Sequence, residues 1–103
     1  MEKQEKIRQY ERALEMYGVT AQFKMLVEEV GELFAALGKF DRRRVGEKDV
    51  ITEIADASIM VEQMATLFGY EEFEAEKEYK LQRLKERLDK HEREQHISET
   101  QGD

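Results

Sequence analysis

Proline is absent from this 103-residue chain, and six glycines are its main interruptions. Proline costs a helix interior about 3 kcal/mol and glycine about 1 kcal/mol, so so few breakers leave long stretches free to coil. Clusters of β-branched residues are few and 40% of the residues are charged, which favours helices over a sheet. The expectation is an all-α fold of four helices in one domain over residues 1–95, with a frayed tail over 96–103.

Apolar spacing locates the helices. Ile7, Tyr10, Leu14 and Tyr17 recur at three- and four-residue intervals and mark a first helix that Gly18 closes. Thr20 is a candidate N-cap for a second helix running to Leu37, with Phe23, Leu26, Val30, Phe34 and Leu37 as its core stripe and Gly38 past its end. Residues 38–49 read as a charged loop holding Arg42, Arg43 and Arg44. Asp49 is placed to cap a third helix over 50–68. A fourth begins near Glu71 and carries Phe73, Leu81, Leu84 and Leu88. The third helix is apolar on nearly every side, with Ile51, Ile54, Ile59, Met60, Val61, Met64 and Phe68, and so requires burial on nearly every side. A four-helix chain of this length has little else to cover it, which predicts a bundle completed by self-association as a homodimer or homotetramer.

Charge and composition exclude several functions. A net charge of −7 argues against a nucleic-acid polymer as partner, because phosphate binding needs cations. The absence of cysteine removes disulfides, thiolate zinc sites and cysteine nucleophiles together, and fits a cytoplasmic location. No run is apolar enough for a membrane span or a secretion signal. The two histidines, His91 and His96, fall in the charged end and read as solvated. Neither a Ser-His-Asp arrangement nor a Glu-x-x-His di-iron motif is available in the first ninety residues. Asp41 and Gly46 imitate the start of a calcium loop, but Arg43, Val45 and Thr52 stand where it needs oxygen ligands.

Acidic spacing carries the functional signal. Glu29 and Glu32 are three apart on the second helix, and Glu53 and Asp56 repeat that interval on the third. Residues three apart project within about 60° of each other, so an antiparallel hairpin can bring all four carboxylates together. Such a cluster persists with a cation, shared protons or splayed side chains. All-oxygen ligation suits Mg²⁺, with Mn²⁺ as an alternative, and Mg²⁺ recruits phosphate oxygens. The plain alternative is that these acids are solvated faces of two amphipathic helices.

The segments VEEVGEL (Val27 to Leu33) and EIAD (Glu53 to Asp56) together resemble the E-E-x-x-E, spacer, E-x-x-D signature of the MazG-like all-α nucleoside triphosphate pyrophosphohydrolases. The similarity spans roughly residues 20 to 90, including EYKLQRLKERL (Glu78 to Leu88). It implies a homo-oligomeric helical bundle that cleaves a nucleoside triphosphate between the α and β phosphates, giving the monophosphate and pyrophosphate. It further implies Glu29, Glu32, Glu53 and Asp56 as Mg²⁺ ligands, Glu28 as a catalytic acid that holds or activates water, and Lys80 and Arg83 as phosphate contacts. Several relatives carry Asn where this chain has Glu78. Arg43, in the basic loop, is a further candidate phosphate contact. The implied role is nucleotide-pool house-cleaning. EIAD is also similar to phosphoribosyl-ATP pyrophosphatases, and a non-catalytic helical interaction module is the rival from another class.

Overall fold

The computed structural model describes residues 1–101 and is helical nearly throughout, with no strand among them. Helix α1 spans Lys3–Tyr17, α2 Val19–Asp41, α3 Glu47–Phe68 and α4 Tyr70–Gln101. None is long and apolar enough to cross a membrane. The chain divides into two units after Tyr70, the second being the remainder of α4.

In the first unit α2 and α3 pair as an antiparallel hairpin with α1 against them. Tyr10, Ala36, Ala57, Met60 and Met64 are its buried apolar residues. Two polar devices sit beside them. The Gln63 side-chain amide donates to the Gln22 carbonyl oxygen, both residues being buried between α2 and α3. The Glu62 carboxylate accepts from the Tyr10 hydroxyl at 2.7 Å and the Tyr70 hydroxyl at 3.1 Å. Burial, then the neighbouring Glu62, holds the Tyr10 hydroxyl far above its ordinary pKa, so it stays a donor.

The helix ends differ from the sequence expectation, each for a local reason. Gly18, at φ 85°, reverses the chain in one residue and donates to the Leu14 carbonyl at 2.9 Å. Helix α2 therefore restarts at Val19, and Thr20 lies inside its first turn rather than capping it. Gly38 does not end α2, which continues to Asp41. The helix stops in a Schellman turn: the Arg44 N–H reaches the Lys39 carbonyl at 2.8 Å and the Arg43 N–H reaches that of Phe40 at 2.9 Å. Arg43 takes the left-handed position of that turn at φ 60°. The expected loop over 38–49 shrinks to residues 42–46. Asp49 lies one turn inside α3, where its carboxylate accepts the Gly46 N–H at 3.0 Å.

The apolar stripe expected to be the core of α2 is split. Leu26 and Val30 are half-buried, whereas Phe23, Phe34 and Leu37 are exposed in the single chain. Ile51, Ile54, Ile59 and Val61 are likewise exposed on α3. Phe23 and Phe68 stack at 6.5 Å between centroids and join the two stripes.

In the second unit α4 continues helical over 96–101, where a tail was expected, and residues 102–103 lie outside the described residues. No glycine or proline interrupts this stretch, and the pairs Lys85–Asp89 at 2.8 Å and Lys90–Glu94 at 4.0 Å support the preceding turns.

Candidate metal centre

Glu29 lies on the face of α2 turned toward α3, seven residues after the buried Gln22, so two turns return it to nearly the same side. Glu53 and Asp56 each lie one turn before a buried residue of α3, Ala57 and Met60 respectively. One carboxylate oxygen from each of Glu29, Glu53 and Asp56 falls within 4.8 Å of the others. Glu29 and Glu53 are half-buried and Asp56 is exposed, which gives the cluster a dry side and an open side. Oxygens around one Mg²⁺ at about 2.1 Å are at most about 4 Å apart, so small side-chain rotations would close this set on a cation.

Two carboxylate oxygens of these residues, Oε2 of Glu29 and Oε2 of Glu53, are shielded from solvent with no hydrogen-bond donor among the described residues. A buried carboxylate oxygen without a donor is costly, and a cation or a proton relieves it. Glu32 lines a cavity together with Glu53 and adds its charge to the surroundings of that carboxyl.

The Glu29 carboxyl is pushed above its ordinary pKa first by desolvation, then by the charges of Glu32, Asp56, Glu53 and Glu28. The Glu53 carboxyl is raised first by desolvation, then by Glu32, Asp56 and Asp49. Both groups therefore bind protons more tightly folded than unfolded. Their stabilising contribution is fully present below the unfolded carboxylate pKa of about 4.3 and is lost as pH rises through the raised folded values. Thermal melts in EDTA are expected to show this loss toward neutral pH, and Mg²⁺ or Mn²⁺ to reduce it by replacing the protons. Asp89, lowered by its bond to Lys85, acts with the opposite sign. The slope due to the cluster is thus the difference between the wild type and Glu53→Gln.

The structure thus brings Glu29, Glu53 and Asp56 together, with Glu32 adjacent and Glu28 exposed one residue from Glu29. Arg43 lines a separate depression with Leu37, Phe40, Asp41 and Val45, not the carboxylates. Lys80 and Arg83 belong to the second unit, where the Arg83 guanidinium lies 5.9 Å from the Tyr79 ring centroid. Sequence reasoning missed Lys39, which lines a cavity with Glu32 and Glu53. Its spacing of seven from Glu32 was the available signal.

Comparison of the chain with protein-family models, curated proteins and solved structures returned no match.

Proposed function

We propose that the protein is a divalent-cation-dependent nucleotide pyrophosphohydrolase that works as a homo-oligomer. The observation that carries this reading is the convergence of three carboxylates from two helices, with two solvent-shielded oxygens that lack donors. The resemblance of VEEVGEL and EIAD to the MazG-like signature supports the same conclusion independently of the geometry.

Glu29, Glu53 and Asp56 would hold Mg²⁺ or Mn²⁺, with Glu32 as a fourth ligand beside Glu53. A cation bound there would neutralise triphosphate charge and increase the acidity of bound water. The chain's own residues do the rest. The half-buried setting of Glu29 and Glu53 would keep the dielectric low where charge develops. Glu28, exposed and adjacent in sequence to Glu29, would orient water and take its proton. Attack at the α-phosphorus opens the anhydride to the monophosphate and pyrophosphate, and no covalent intermediate is required. Lys80, Arg83 and Arg43 are retained as candidate phosphate contacts.

The exposed apolar face of α2 supports the oligomer. Phe23, Val27, Val30, Phe34 and Leu37 repeat at the four-three spacing of a helix–helix seam. Phe34 is 68% exposed and Val27 73%. Phe34 lies five residues from Glu29, about 140° around the helix, so a second copy could cover this face without covering the carboxylates.

The deciding experiment incubates the protein with common and oxidised nucleoside triphosphates and with phosphoribosyl-ATP, with Mg²⁺, Mn²⁺ or EDTA. Metal-dependent release of pyrophosphate with the monophosphate is expected. Orthophosphate with the diphosphate would refute cleavage between α and β. No turnover, with a melting curve indifferent to metal, would leave the interaction module, which the exposed apolar face favours.

A further inference from the structure

Between the last turns of α2 and the first turns of α3 lies a cavity of about 310 Å³, lined by Glu32, Ala36, Lys39, Asp49, Thr52 and Glu53 among others. Its lining includes Ala36, which is buried, Glu53 of the acidic cluster and the adjacent Glu32. Lys39 is its one cationic lining residue. It follows Glu32 by seven residues, so both project from nearly the same side of α2, roughly 10.5 Å apart along the axis.

Of the other polar groups of the cavity, Glu32 and Glu53 belong to the proposed metal site, and Thr52 and Asp49 are already engaged. The Thr52 hydroxyl donates to the Lys48 carbonyl at 3.0 Å, and the Asp49 carboxylate accepts the Gly46 N–H at 3.0 Å. Lys39 is thus the lining side chain suited to give a charge-assisted hydrogen bond to an anion. An anion would enter beside Glu32 and Glu53 only in the company of cations at the cluster, which is how a metal-complexed polyphosphate arrives.

Resting on the function proposed above, we infer that this cavity receives the pyrophosphate end of the substrate, with Lys39 as its charged donor, so that the nucleoside lies on the opposite side of the carboxylates. Lys39 is a substrate-positioning group in this assignment, and its contact is made to pyrophosphate and not to the monophosphate.

The test measures binding of inorganic pyrophosphate by calorimetry in the presence of Mn²⁺, and inhibition of turnover by pyrophosphate and by nucleoside monophosphate. Wild type, Lys39→Gln and Lys39→Arg are compared. Lys39→Gln is expected to weaken pyrophosphate about tenfold in both assays, leave monophosphate inhibition unchanged, and keep the wild-type Tm. Lys39→Arg should retain most of the affinity. Unchanged pyrophosphate binding in Lys39→Gln would overturn the assignment, as would a selective loss of monophosphate inhibition, which places the substrate in the reverse direction. Calorimetry needs no turnover, so a wild type that binds pyrophosphate without hydrolysing any nucleotide counts against the reaction and not against this site.

Discussion

Glu53→Gln is expected to remove the response of the protein to divalent cations and to lower pyrophosphate release roughly a hundredfold or more, since a metal ligand and its charge are lost together. The same substitution should raise the Tm of the metal-free protein at neutral pH. Glu53 is held near Glu29, Glu32 and Asp56, and a shielded oxygen of its carboxylate has no donor. An amide of the same shape removes one charge from that cluster and can donate to Glu32. The two effects have opposite signs, which separates a metal site from an ordinary structural contact. Thermal melts with EDTA and with saturating Mn²⁺ read both in one protein. A variant less stable than wild type without metal, yet stabilised by Mn²⁺ as strongly, would show that Glu53 is not a ligand. Glu28→Gln provides the contrast: loss of turnover with the metal-induced rise in Tm preserved, as expected for an acid that handles water outside the ligand set.

On the proposed homo-oligomer, Phe34→Glu is expected to give a monomer and a markedly lower stability, because a charge would be placed in an apolar seam and repeated across the symmetry axis. In the isolated chain the substitution is mild, since Phe34 is already exposed to solvent. A large effect therefore reports the partner copy and not the fold of one chain. Sedimentation and the concentration dependence of Tm check it, because the stability of an obligate oligomer rises with protomer concentration. A wild type that is monomeric at all concentrations, with a Tm unmoved by Phe34→Glu, would mean that this face stays open. Arg8→Glu, on exposed α1 surface, serves as the charge control.

The all-helical character was legible from the chain because it depends on local chemistry: no proline, few glycines, and apolar residues at helical spacing. The ends of the helices were less legible. Gly38 looked like a stop, yet intrahelical hydrogen bonds carry α2 past it to a turn at Arg42–Arg44 that uses a left-handed arginine where glycine is usual. Asp49 was recognised as a capping residue but assigned to the N-cap, where an acid accepts the N2 or N3 N–H; it sits at the third helical position instead and accepts the N–H of the N-cap residue Gly46, and both roles favour an acid.

Sequence by itself determined that Glu29 shares a helix face with Glu32, and Glu53 with Asp56, since the periodicity of one helix settles which residues share a side. Only the tertiary structure decided that Glu29, Glu53 and Asp56 meet. The same holds for Lys39, and for the apolar stripe of α2, half of which is left outside the core of one chain. Periodicity orders residues around an axis, but the distance between two axes, and which side of each faces the other, is set by the packing of Ala36, Ala57, Met60 and Met64 and by the Gln22–Gln63 bond.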